Sequence, residues 1–181
     1  LNVLILNGAA KSGKGTVVKY MQELFSLNIV EYSSIDYVKE VAIEKFGWDG
    51  KKDIAGRNLL AGIKQVMIVY NDLPMQKIGN AIYQASEFGL DILAIDIREP
   101  DEIKKLVIYC RKHEIECITC RILNKKAEAE TKDKANELNL SDRSYANYKY
   151  DCTIFNNKTL EDLKEEVHEA LSKHIKIRRK D

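Results

Sequence analysis

The sequence predicts an α/β domain: a parallel sheet of about five strands with helices on both faces. The chain opens on an apolar run, Val3 to Leu6, that passes through a glycine-bearing loop straight into a helical stretch. Apolar strand-like runs then alternate with amphipathic helical ones, the pattern of strands buried on both faces by crossover helices. The 181 residues hold only two prolines, Pro74 and Pro100, and no repeat or low-complexity tract, which suits one domain over 1–181 with a substantial core.

The elements follow in order. After the first strand, a helix runs from about Lys14 to Leu27, with Val17, Val18, Met21, Leu24 and Phe25 on one face. Ile29 to Ser34 reads as a strand and Ile35 to Phe46 as a helix. Arg57 to Tyr70 and Met75 to Phe88 read as two further helices, separated by Asn71-Asp72-Leu73-Pro74. Ile92 to Ile97 is a buried strand, Asp101 to His113 a helix and Ile115 to Ile122 a strand. Asp151 to Phe155 makes the last strand. The closing helix, Thr159 to Ile175, has Thr159 as N-cap and Asp162 three residues on. The Gly-, Asp- and Lys-rich stretch from Gly47 to Arg57 reads as a mobile connection. Asn124 to Tyr148 is polar and charge-mixed, a long segment of the kind that forms lids or binding loops, with a helix around Ala127 to Leu138.

The opening loop, Gly8-Ala9-Ala10-Lys11-Ser12-Gly13-Lys14-Gly15-Thr16, carries the strongest chemical signal. Between a strand and a helix it matches the phosphate-gripping P-loop, whose backbone N–H groups turn inward while the helix N-terminus adds partial positive charge. Lys14 brings a full charge to the β- and γ-phosphates. The nucleotide-binding set is Gly8, Ala10, Lys11, Ser12, Gly13, Lys14, Gly15 and Thr16, with ATP and Mg²⁺ as the expected ligands. Gly15 fills the usual Ser/Thr slot, and the hydroxyl comes one residue later, at Thr16.

The ending Gly13-Lys14-Gly15-Thr16 resembles adenylate kinase and related nucleoside monophosphate kinases. Over its whole length the chain is similar to the P-loop nucleoside/nucleotide kinase family, closest to its deoxynucleoside monophosphate kinase-like branch. The shared marks are Ser33-Ser34-Ile35-Asp36 with Lys39, Gly47-Trp48-Asp49-Gly50, Gly56-Arg57, Tyr70-Asn71-Asp72, Asp96-Ile97-Arg98-Glu99-Pro100 and Ser141-Asp142. The resemblance implies a three-layer P-loop fold with an acceptor-side helical region over 35–90 and a lid-like segment over 122–148.

It also implies roles. Asp36 and Lys39, one helical turn apart, fall at the acceptor corner, where a cation holds the monophosphate; here that cation is Lys rather than Arg. Asp96, closing an apolar strand, matches the carboxylate that holds magnesium, with Thr16 as its companion. The alternative for Asp96 is an internal salt bridge to an Arg. Arg98 projects from the same edge as a clamp on the acceptor phosphate. Arg57 begins a helix on which Lys64 and Asn71 recur at seven-residue intervals, a polar edge opposite Leu60, Ile63, Met67 and Tyr70. Arg57 is the candidate second phosphate contact, and Lys64 and Asn71 are candidates for base or sugar. Arg121 and Arg143, with Lys125 and Lys126, are the cations from which lid residues across the moving phosphoryl group would come. Tyr37, Trp48 and Tyr70 are available to stack on a base, and Asn156-Asn157-Lys158 falls where the adenine ring is commonly held. No strong general base is visible, and a phosphate acceptor, already ionised, needs none.

Together these point to ATP-dependent transfer of a phosphoryl group to a small phosphorylated acceptor, a (deoxy)nucleoside monophosphate first. Phosphomevalonate or a similar metabolite stays open as acceptor, as does nucleotide binding without turnover. A switch GTPase does not fit: Asn124-Lys125-Lys126-Ala127 lacks the carboxylate that reads guanine. With 29 Lys and Arg against 28 Asp and Glu, no broad basic footprint indicates nucleic acid. No apolar run is long enough for a membrane span and no signal pattern opens the chain, so a cytoplasmic location is expected. Leu1 is not an initiator, which implies that at least a Met precedes it. Cys117-x-x-Cys120 has zinc-like local spacing, but on a strand its thiols point to opposite faces; reduced, mostly buried thiols are expected for all four cysteines, Cys110 and Cys152 included.

Overall fold

A computed structural model describes residues 1–133 and 148–175. Its elements are β1 (Asn2–Asn7), α1 (Lys14–Phe25), β2 (Ile29–Ser33), α2 (Asp36–Phe46), α3 (Ile54–Asn71), α4 (Leu73–Glu87), β3 (Ile92–Asp96), α5 (Pro100–Lys112), β4 (Glu116–Leu123), α6 (Lys125–Asp133), β5 (Cys152–Phe155) and α7 (Leu160–Ser172). Five strands form one sheet in the order β2-β3-β1-β4-β5, every pairing parallel. The predicted α/β class and strand count hold.

Side-chain alternation divides the core between the two faces. Leu4, Leu6, Ile92, Ala94, Ile118 and Cys120 pack under α1 and α7 with Val17, Met21, Leu163 and Val167. Val3, Ile5, Leu93 and Ile95 face the other way, against Ile78 and Ile82 of α4 and Ile103 and Leu106 of α5. Period-2 side chains on a doubly covered sheet require apolar residues at both parities, which is why these strands read as continuous apolar runs. Cys117 and Cys120 do lie on opposite faces. Each finds a partner the sequence did not reveal: Cys117 meets Cys110, and Cys120 meets Cys152 across the strand pair. Burial and these thiol contacts push Cys117 and Cys120 upward, which keeps them protonated.

Helix boundaries follow their caps. Thr159 and Asp162 form the capping box that opens α7. Gly47 closes α2 in the left-handed conformation. α3 begins three residues before the expected Arg57, because the Asp53 side chain accepts the Gly56 N–H and caps it. α2, α3 and α4 pack together as a small helical group beside the sheet, around Val38, Ala42 and Leu60.

β1 lies at the centre of the sheet, and Ile5 on it has no exposed surface. Deleting one methyl group there with Ile5→Val should cost about 1 kcal/mol. Removing a γ-methyl pair from half-exposed Val30 with Val30→Ala should cost less, both measured by urea unfolding.

Candidate functional site

The site forms where β1 and β3 end side by side and the chain leaves them in opposite directions, the crevice of an open α/β sheet. A cavity of about 480 Å³ there is lined by Lys11, Ser12, Gly13, Lys14, Gly15 and Thr16 from the loop and first turn of α1. Glu31, Tyr32 and Ser33 of β2, Asp36 of α2, and Leu6, Ala94 and Asp96 complete the wall.

The loop is held open from behind. Asn7, fully buried at the end of β1, accepts the Gly8 N–H at 2.6 Å and donates to the Arg98 carbonyl at 3.1 Å. Asn156, just beyond β5, donates to the Ser12 carbonyl at 2.8 Å. Gly13 has φ +101°, and a Cβ there would lie 2.5 Å from the Asn156 amide; one on Gly8 would lie 2.5 Å from the Ile122 carbonyl. Only glycine satisfies both conditions at either position. No side chain caps the N-terminus of α1, and its first turn has no acidic residue, so its N–H groups are left for an anion.

Lys14 folds back over this loop. Its ammonium donates to the carbonyls of Gly8 and Ala9 at 3.2 and 3.4 Å and lies 3.8 Å from Asp96. Two buried polar atoms here have no hydrogen-bond partner, Ser12 Oγ and Asp96 Oδ1. Leaving such atoms unmet is costly unless a ligand meets them. An oxygen-seeking divalent cation on Asp96 and Thr16, beside phosphate oxygens in the loop, fits that donor set. The cation beside Asp96 is Lys14 rather than an Arg, and this long contact leaves one carboxylate oxygen unsatisfied.

On the β2 side, Asp36 accepts the Ser33 N–H at 3.0 Å and the Lys39 ammonium at 2.7 Å, so the expected Asp36–Lys39 corner exists as a joined pair. Tyr32 on the same wall is pushed upward by burial and by Asp36 and Glu40, so its hydroxyl stays a donor. The predicted stacking residues are elsewhere. Tyr37 lies beneath the Lys77 ammonium, Trp48 donates to the Lys51 carbonyl, and Tyr70 is 85% exposed.

The remaining expected residues are spread wider. Arg57 donates to the Lys52 carbonyl. Lys64 corrects the expected polar edge: it lies on the same inner face of α3 as Leu60, buried, 2.9 Å from both Glu99 and Glu102. The seven-residue spacing was read from the wrong side of the helix. Asn71 is exposed at the end of α3, where its carbonyl accepts from Gln76. Arg121, beside Asn7 in the sheet register, pairs with Glu128 of α6 at 2.7 Å and anchors that helix. Arg143 lies outside the described residues. The sequence shows no sign that Tyr32 and Glu31 line the cavity or that Glu99 and Glu102 enclose Lys64. Asn7 alone had a local signal, a polar residue ending an apolar strand.

No protein-family model matches this sequence, and no curated protein does either. Solved structures with similar chains include TT1252 from Thermus thermophilus, at 13% identity and a TM-score of 0.51, covering 95% of this chain and 97% of that one. The shikimate kinase of Aquifex aeolicus aligns at 13% identity and a TM-score of 0.42, over 91% and 92% of the two chains. The Mycobacterium tuberculosis APS kinase in complex with AMPPNP and APS aligns at 12% and 0.46, over 94% and 97%. The likeness is one of fold.

Glu102 supplies a pH test of the Lys64 cluster. Burial, together with Glu99 beside it and against the pull of Lys64, pushes its carboxyl up to about 7. A raised carboxyl favours the protonated folded state, so stability is greatest below the ordinary carboxylate range and falls as pH rises towards about 7. Melting temperatures between pH 5 and 8 should show that fall, and Glu102→Gln should flatten it.

Proposed function

We propose that this protein is an ATP-dependent phosphotransferase that moves the γ-phosphoryl group to a (deoxy)nucleoside monophosphate. The observation that carries the reading is one cavity lined by the glycine-bearing loop, Lys14, an unmet Asp96 oxygen and an uncapped helix start. A triphosphate tail would meet the helix start and Lys14, and a divalent cation beside it would meet the Asp96 oxygen. A divalent cation bound there neutralises charge on the β- and γ-phosphate oxygens.

In this reading the backbone of 8–16 grips the phosphates and fixes their direction. Lys14 leaves the Gly8 and Ala9 carbonyls and follows the charge that develops on the transferring group. Asp96 and Thr16 hold the cation. Lys39 and Arg98 orient the acceptor phosphate, with Arg57 as a further contact. The acceptor oxygen is already ionised, so catalysis is positioning and charge compensation. Arg121 steadies α6, and Arg143 is the candidate to reach over the phosphoryl group from the lid-like segment.

A second reading rests on Asp36. Its carboxylate lines the same cavity as Lys14, in place to take a proton from a hydroxyl acceptor. ADP release from ATP·Mg²⁺ would be measured against ribo- and deoxyribonucleoside monophosphates, phosphomevalonate and unphosphorylated alcohols.

Lys14→Ala should lower kcat about 10³-fold with an unchanged circular dichroism spectrum; full residual turnover would remove Lys14 from the mechanism. Asp36→Asn separates the two acceptors. With a monophosphate acceptor kcat should fall less than about tenfold, whereas loss of a base for a hydroxyl acceptor costs about 10²- to 10⁴-fold.

A further inference from the structure

Asn7 has a third side-chain partner besides the Gly8 N–H and the Arg98 carbonyl. The Tyr150 hydroxyl is hydrogen-bonded to its carboxamide. That bond holds the phenol's acidity down, so it is donated to the phenol oxygen, and the donor is the Asn7 amide nitrogen. An asparagine nitrogen carries two hydrogens. One goes to the Arg98 carbonyl at 3.1 Å and the other to Tyr150, while the amide oxygen takes the Gly8 N–H at 2.6 Å.

This arrangement settles which way the amide faces. A carboxamide can turn over about its last bond with almost no change of shape. Turned over here, its oxygen would face the Arg98 carbonyl and the Tyr150 oxygen, and its nitrogen would face the Gly8 N–H. Asn7 has no exposed surface, so water cannot relieve any of those clashes. Tyr150 is the one of the three partners that belongs to neither the loop nor the segment after β3.

Tyr150 is itself firmly placed. The next residue, Asp151, accepts the Thr119 N–H at 2.8 Å and the Thr119 hydroxyl at 2.7 Å, and its own N–H donates back to the Thr119 carbonyl at 3.0 Å. Thr119 is buried on β4, two residues before Arg121, which stands beside Asn7 in the register. The Tyr148 ring meets the Tyr150 ring edge-on, with centroids 5.0 Å apart, and both pack against the apolar cluster that holds Val3 and Ile5. Burial pushes the Tyr150 hydroxyl up to about 12 against the pull of Arg121, so the phenol is neutral across the physiological range.

We propose that Tyr150 is a positioning residue of the phosphate loop: by accepting from Asn7 it fixes the turn of that carboxamide, and through it the Gly8 N–H and the Arg98 carbonyl. Its effect on nucleotide rests on the function proposed for this site; its effect on Gly8 does not. Tyr150→Phe keeps the ring and removes the acceptor. Its affinity for AMPPNP·Mg²⁺, measured by titration calorimetry, should fall about three- to tenfold, the loss of one hydrogen bond, with an unchanged circular dichroism spectrum. In nucleotide-free protein, NMR should show the Gly8 amide proton shifted and exchanging faster in Tyr150→Phe than in the parent. Asn7→Ala should weaken binding further, and adding Tyr150→Phe to it should change nothing more, because the phenol acts through Asn7. A Gly8 signal unmoved by Tyr150→Phe would overturn the proposal, and so would additive losses in the folded double variant. A lower melting temperature with the Gly8 signal and affinity unchanged would show a tyrosine that only packs. If Asn7→Ala does not fold, the Gly8 signal alone decides. A parent protein that does not bind AMPPNP·Mg²⁺ would refute the function proposed for the site, and the Gly8 signal would still decide the role of Tyr150.

Discussion

Asn7 has no access to solvent, so its carboxamide must find partners inside the protein. It finds them in the first N–H of the phosphate loop and in the carbonyl of Arg98, beyond the neighbouring strand. One rigid group therefore sets the distance between the loop that would grip a donor and the segment that would meet an acceptor. Asn156 does similar service from the far side of the sheet, through the Ser12 carbonyl. Both amides convert burial, which is unforgiving of unmet polar atoms, into geometry. The path of the loop, and with it the Gly8 and Ala9 carbonyls that Lys14 meets, follows from these supports.

The same logic applies to α3 and the helices beside it. Lys64 is buried among carboxylates, so it joins α3 to the chain that carries Arg98 rather than offering its charge to a ligand. Ion pairs at this depth are kept for the arrangement they enforce more than for their net energy. Asp36 does line the cavity, paired with Lys39 so that the two charges largely cancel. Glu31, Asp36 and Asp96 make the cavity lining richer in carboxylate than a simple phosphate pocket, and this gives the hydroxyl reading its weight.

Wherever a local rule acts alone, the sequence was legible. β1, its glycine-bearing loop and α1 declared themselves through apolar pattern and spacing, and Thr159 with Asp162 declared the start of α7. Asp53 showed how a cap decides a boundary against the first visible cation, Arg57. What stayed hidden depends on chain segments far apart. The glutamates that bury Lys64 lie on the loop after β3 and the start of α5, and no helical periodicity contains them. Cys110 meets Cys117, and Cys120 meets Cys152, only once helix and strands pack. Asn156 was placed near the site for an adenine contact, whereas its side chain reaches the loop itself.

The strand order has a kinetic consequence. β1 is made first, yet its neighbours on either side are β3 and β4, so its ladder waits for Ile92 and then Glu116 to emerge. Until then an apolar segment stands with both edges open, and closing it requires long excursions of chain. The glycine-bearing loop that leaves the end of β1 is thus held in place only after the strands on both sides of β1 have formed.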